Sequence, residues 1–272
     1  MSTQSASSCP FHAFALARTE SRGLAARIGV FAYGLLAYAS FLGAILYAIG
    51  FVGNWIVPKS IDSGSPGRMD VSLLVNAALL GVFVVQHTVM ARPAFKRCVT
   101  RFIPASMERS TFVLAASASL GLAFWLWRPL PEHVWNVSET APAWALRGLS
   151  LLGWAVVLAS SFMVSHFDLF GLRQVWFRLM DRAYQPVGFR LVGLYKLVRH
   201  PLMLGFLVAF WATPTMSAGH LYFALMTSLY IAMGLWFEER DLVAEHGESY
   251  LKYRRRVPAI VPFTKWGTES ES

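Results

Sequence analysis

The chain has 272 residues, 56% of them hydrophobic and only 14% charged, with a formal net charge of +9. Soluble domains carry roughly 25% charged residues, so this composition excludes an ordinary water-soluble globule. The basic residues lie between long apolar runs and not along one stripe, which excludes nucleic acid as a partner and fits attraction to anionic membrane lipids. Taken in chain order, residues 1–27 hold small and basic residues without an apolar stretch and cleavage site, and read as a retained soluble arm. A spanning helix needs about 20 mostly apolar residues. Residues 28–52, 71–91, 111–127 and 144–165 meet or approach that length. The turn-rich run 58–67 separates the first two. The amphiphilic stretch 169–197 places Arg, Trp and Phe as an interfacial helix would. A fifth segment, 202–213, is short and stops at Pro214; a sixth covers 221–237, and the two form a tight helical hairpin. The 20 Phe and 10 Trp suit a bundle with aromatic anchors at the interfaces.

The distribution of Lys and Arg tests this count. From the N-terminal arm through each connection to the C-terminal tail, the numbers run 3, 2, 5, 2, 6, 0 and 6. High and low values alternate, so the positive-inside bias puts both termini and the even-numbered connections in the cytoplasm. The expected fold is all-α: a polytopic transmembrane bundle of five to six segments with a C-terminal hairpin and cytosolic tail. It divides into the arm 1–27, segments one to four over 28–165, and a ligand-binding region 166–272.

Ionisable groups at membrane depth are costly and usually functional. His87, beside Gln86, lies one turn from the cytoplasmic end of segment two. His166 and Asp168 end segment four, Arg199 and His200 precede segment five, and Glu238 and Glu239 close segment six. Each alone has a plainer reading. His87 fits an interfacial residue, Asp168 a turn residue, His166 a cation near a helix C-terminus, and the Glu pair a solvated helix end. Together, four segments deliver His, Asp, Arg and Glu to one membrane face. Pro201 suits the first position of a helix. The free N–H groups after it favour an anion, and Arg199 suits bidentate carboxylate binding. An amphiphilic small molecule bearing a carboxylate is the expected guest, with Gly205 permitting close approach of ligand or backbone. Cys9 and Cys98 are too few and too far apart for a disulfide framework or a metal site.

The run from Gly193 to Gly205 containing Arg199-His200-Pro201, the pair Glu238-Glu239, and the tail from His246 through Tyr250 and Tyr253 to Pro258, Pro262 and Phe263 resemble the isoprenylcysteine carboxyl methyltransferase and phospholipid methyltransferase superfamily. The resemblance covers about the last 75 residues, with three motifs in order. It implies that S-adenosylmethionine binds from the cytosolic side beneath the C-terminal tail. By position, Tyr195, Arg199, His200, Pro201, Met203, Leu204 and Gly205 would line the cofactor site. Glu238 and Glu239 would hold its polar groups, and Tyr250 and Tyr253 would shape the cover. Met203 stands where the family usually has Tyr, which leaves only a backbone or apolar contact there. Upstream, Gln86-His87, residues 91–96 and residues 166–174 look like the bacterial methanethiol S-methyltransferase branch, which is similar to NnrU-type membrane proteins. That branch implies the bacterial inner membrane and a small-molecule thiol substrate, with dimethyl sulfide as product. A phospholipid or prenylated acceptor is the alternative within the superfamily. Of another class is a haem site suggested by NnrU-like and carotenoid-isomerase-like proteins, with His87 and His166 or His200 as axial ligands.

A thiol reacts as thiolate, and thiol pKa values lie above neutral, near about 8.5 for free Cys. The implied transfer therefore calls for a base and a nearby positive charge. His87, or His166 paired with Asp168, is the expected proton acceptor. Arg173 is expected to favour the thiolate, and Trp176 to face the sulfonium through a cation–π contact.

Overall fold

The computed structural model describes residues 23–188, 191–262 and 264. The N-terminal arm up to residue 22, with Cys9, and Phe263 of the tail lie outside the described residues. In chain order the helices are α1 (Leu24–Gly53), α2 (Met69–Ala91), α3 (Pro93–Val99), α4 (Glu108–Leu126), α5 (Pro142–Val164), α6 (His166–Leu169), α7 (Leu172–Leu179), α8 (Pro201–Trp211), α9 (Ala218–His246) and α10 (Glu248–Arg256). Five of them, α1, α2, α4 with the 3-10 turn before it, α5 and α9, are long and apolar enough to cross a membrane. The protein is an all-α integral membrane bundle. Side chains such as Leu46, Leu74, Val85, Trp125 and Leu158 point outward and exposed, as lipid-facing positions should.

The fifth expected segment is half a span. Helix α8 has 11 residues, about 16 Å at 1.5 Å per residue, against a hydrocarbon core of about 30 Å. Extended chain follows it: β2 (Thr215–Ser217) pairs antiparallel with β1 (His133–Asn136). Such a short ribbon leaves no periodic signal in a sequence.

Backbone proximity sets where α8 lies. A Cβ on Gly205 would stand 2.7 Å from the Gly153 carbonyl oxygen and 2.8 Å from the Val157 nitrogen, and one on Gly153 would stand 2.6 Å from the Ala209 nitrogen. Ser150 Oγ donates to the Ala209 carbonyl at 3.0 Å. Small residues that let helix backbones touch are the usual means of association in lipid. Gly205 is therefore taken up by helix α5.

The end remote from the expected site is tied shut. Phe51, Phe124, Trp127, Trp154, Phe210 and Phe223 form its core. The side chain of buried Asn76 donates to the Arg128 carbonyl at 2.8 Å and accepts from its N–H at 2.9 Å, which satisfies backbone groups at the end of α4. Ser217 caps α9 through the His220 N–H at 2.9 Å and donates to Asp62.

At the opposite end the amphiphilic stretch is α-helical over α7 and the last residue of α6, with a 3-10 turn at Gly193–Lys196. Gly171 joins these two helices at φ 87°, where a Cβ would meet Ser110 Oγ at 2.7 Å and Ser110 N at 2.9 Å. Glycine is needed both for the left-handed backbone and for the contact, which seats α6 and α7 on the start of α4.

Gly205→Leu should cost about 1–3 kcal/mol through overpacking. Thermal unfolding in detergent should show a midpoint several degrees lower. Gly148→Leu on α5, where a Cβ meets nothing within 4 Å, should leave the midpoint unchanged.

Candidate active site

Pro201 opens α8 with no N–H to satisfy, so Arg199 and His200 sit where the chain arrives at the bundle. Their own N–H groups donate to the Pro258 and Ala259 carbonyls at 2.8 and 3.0 Å. The C-terminal tail is thereby laid along the entrance to α8. Arg199, 7% exposed, makes a bidentate pair with Glu239 through Nε at 2.8 Å and Nη2 at 3.0 Å. Its Nη1 donates to the carbonyls of Arg254, at 3.2 Å, and Val257. Glu239 also accepts from His200 Nε2 at 2.8 Å and Tyr250 OH at 2.9 Å, and pairs with Arg254 at 3.3 Å. The guanidinium that suits a ligand carboxylate is thus satisfied from within the chain, and Glu239 joins α8, α9, α10 and the tail.

Glu238 differs. Its side chain is 48% exposed and lies 3.5 Å from His200 Nδ1. Tyr253 OH donates to the Tyr195 carbonyl at 2.6 Å, and burial first, with neighbouring charge, pushes both phenols up to about 12. The Tyr250 phenol is raised too, by burial and by its bond to Glu239. All three tyrosines therefore stay neutral at physiological pH. Burial works against a charged His200, but the bonds and charges of Glu238 and Glu239 outweigh it and raise its pKa. Met203 and Leu204 lie partly buried in the first turn of α8.

A second polar group lies across the same end of the bundle. The His87 ring is 4.8 Å from Phe112, 5.2 Å from Phe83 and 6.3 Å from Tyr230 by centroids. Its Nδ1 is buried with no hydrogen-bond partner among the described residues. Arg109, in the first turn of α4, donates from Nε to the Leu169 carbonyl at 2.7 Å and lies 5.1 Å over Phe112. Asp168 accepts from Tyr184 OH at 2.6 Å and faces Arg173 at 3.5 Å. Burial and Asp168 together raise the Tyr184 phenol.

The expected pairing of His166 with Asp168 does not form. Residues two apart on a helix do not face each other, and α6 turns them to opposite sides. His166 is buried against Tyr38 OH at 2.9 Å (Nε2), Ser161 Oγ at 2.8 Å (Nδ1) and the Phe162 ring at 4.2 Å. Both nitrogens of His166 and both of His200 are engaged, which leaves neither ready as an axial ligand to haem iron. Trp176 packs against Phe31 of α1 at 5.8 Å. Sequence reasoning missed Arg109, Tyr184 and Tyr38. Arg109 counted there only as a topological charge, and Tyr184 lies in an irregular stretch with no pattern to mark it.

Breaking a buried pair by removing one partner costs about 3–5 kcal/mol. Glu239→Ala should therefore lower the unfolding midpoint strongly, while Glu238→Ala should scarcely move it. Because the pKa of His200 is raised on folding, its charged form stabilises the fold fully below about pH 6.5. That contribution is lost as pH rises through the raised value. A midpoint that falls on going to alkaline pH, and falls less in His200→Gln, is the expected thermal record.

Comparison with known proteins gives close relatives. The chain is 54% identical over 237 residues to methanethiol S-methyltransferase 2 of Bradyrhizobium diazoefficiens, covering 87% of this chain and 91% of that protein. It is 52% identical over 231 residues to the methanethiol S-methyltransferase of Mycobacterium tuberculosis, covering 85% and 95%. A more distant likeness, 27% over 233 residues and covering 76% and 87%, is to nurim of Bos taurus. No family model and no solved structure matches.

Proposed function

The chain belongs to the methanethiol S-methyltransferase family, and we propose that it methylates methanethiol with S-adenosylmethionine as donor, giving dimethyl sulfide. The observation that carries this reading is 54% identity maintained over 87% of the chain. When bound, S-adenosylmethionine supplies an electrophilic methyl group on a positively charged sulfur.

The residues present fit that donor. The half-exposed Glu238 carboxylate, beside His200, whose pKa it helps to raise, would accept from the donor's ammonium or ribose hydroxyls. Tyr195 and Tyr253, neutral and cross-linked by their hydrogen bond, would present apolar faces. Arg199, Glu239 and Tyr250 would hold this wall in place, and Pro201, Met203 and Leu204 would contribute the first turn of α8. The tail, clipped to Arg199 and His200, would exclude water. In the bacterial inner membrane that the family resemblance implies, the Lys and Arg bias supports both termini, and hence this face, in the cytoplasm.

The thiol side of the reaction falls to His87. Methanethiol is small and apolar, and the rings of Phe83, Phe112 and Tyr230 around His87 offer an environment of the same kind. Its unpartnered Nδ1 would accept the thiol proton and leave the sulfur electron pair for in-line attack. Positioning of this sort supplies much of the acceleration in a two-reactant transfer. His166, saturated by Tyr38 and Ser161, would instead hold α6, and with it Asp168 and the Arg173 beside it.

Purified protein given methanethiol and S-adenosylmethionine should release dimethyl sulfide into the headspace; methylated lipid in its place would overturn the acceptor. Loss of a general base typically costs about 10²–10⁴-fold. His87→Ala should show a loss of that size while calorimetric binding of S-adenosylmethionine persists.

A further inference from the structure

Arg109 occupies a position that the helix itself does not favour. It stands in the first turn of α4, where the positive end of the helix dipole disfavours a cation. It is nonetheless fixed by the Leu169 carbonyl at 2.7 Å and laid 5.1 Å over the Phe112 ring. The same ring has His87 4.8 Å away, its Nδ1 buried and without a hydrogen-bond partner among the described residues. A fixed cation and a free proton acceptor thus share one aromatic wall. The carboxylates that act on Arg109 are Glu108 on its own helix and Asp168, and Asp168 is already bound by Tyr184 at 2.6 Å and faced by Arg173 at 3.5 Å and Gln174 Nε2 at 3.4 Å.

We infer that Arg109 is a further catalytic residue, a preorganised cation that stabilises the thiolate formed when His87 takes the proton. This rests on the methanethiol reading. The S–H bond breaks with its electron pair left on sulfur and its proton on His87 Nδ1. The sulfur pair then forms the new S–CH3 bond, while the donor's C–S bond pair returns to the sulfonium sulfur of S-adenosylmethionine. Without an anion between them, a protonated His87 and Arg109 repel; the thiolate supplies that anion. Such an arrangement gains strength in a site of low dielectric, because the dipoles and charges need no reorganisation as the negative charge develops. Arg suits the place better than Lys, since its guanidinium is weakly hydrated and its charge is permanent. The charged and titratable groups facing Arg109 are Glu108 on its own helix, Asp168 of α6 and Tyr184. Facing His87 from α9 is Tyr230.

The test separates proton transfer from anion stabilisation by using two acceptors, methanethiol and the more acidic methaneselenol, which arrives largely ionised at neutral pH. Removing one preorganised charge-stabilising donor typically costs about 10²–10³-fold. Arg109→Met should lose that much of kcat with both acceptors. With methanethiol, the rising limb of its pH profile should move upward by about one unit or more, since a thiol without the cation ionises later. His87→Ala should lose methanethiol turnover but keep most selenol turnover. Arg109→Lys retains the charge but not the Nε–H held by Leu169. It should lose rate while keeping its limb near the wild-type position, and it supplies the same reading if the Met variant fails to fold. Wild-type dimethyl sulfide production with an Arg109→Met profile superimposable on it would overturn the proposal alone, as would an Arg109→Lys limb displaced by a full unit. No dimethyl sulfide from the wild type would overturn the methanethiol reading and this inference with it.

Discussion

The bidentate pair between Arg199 and Glu239 governs how the C-terminal third of the chain is assembled. A guanidinium as enclosed as Arg199 cannot stay unpaired without a large desolvation cost, and Glu239 answers it from a helix 40 residues away in sequence. The same carboxylate takes His200, Tyr250 and Arg254. One group therefore determines where α8 begins, where α10 folds back and where the tail lies. Neighbouring Glu238 stays half exposed because Glu239 meets the structural demand. Two adjacent, identical side chains thus acquire different work from their environments alone.

The short α8 belongs to the same arrangement. Its first residue follows His200 directly, so its N-terminal end lies level with Glu239. Close backbone approach between Gly205 and Gly153 holds this half-helix against α5, as small residues do where lipid removes the hydrophobic incentive for helices to associate. The remote end, packed with aromatic rings and tied by Asn76, Asp62 and Ser217, provides a rigid base. The opposite end carries polar chemistry on a frame built from short helices and loops.

That polar end holds two groups of different character. Around Glu239, donors from Arg199, His200 and Tyr250 all meet its carboxylate, and Arg254 pairs with it. Around His87 the walls are aromatic and a buried nitrogen is left without a partner. A polar, charged donor and a small apolar acceptor call for surroundings that differ in this way. His166 belongs to neither group. Locked by Tyr38 and Ser161, it holds α6 so that the Leu169 carbonyl can fix Arg109 and Asp168 can meet Tyr184.

Read alone, the sequence determined that the chain lies in a membrane, because 56% hydrophobic composition and runs of about 20 apolar residues leave no other solvent. It also determined that both Glu residues, Arg199-His200-Pro201 and His87 would share one end of the bundle, since charge placement and segment length are one-dimensional properties. Tertiary structure decided which of those groups meet. The choice of Glu239 over Glu238 as the partner of Arg199 depends on helical phase at a contact between distant segments. The separation of His166 from Asp168 depends on a single turn of helix after Ser165, and the approach of Arg109 to His87 on a glycine corner at Gly171 that composition cannot reveal. Gly205, which by residue type suits ligand or backbone equally, was assigned to backbone only when α5 was laid against it.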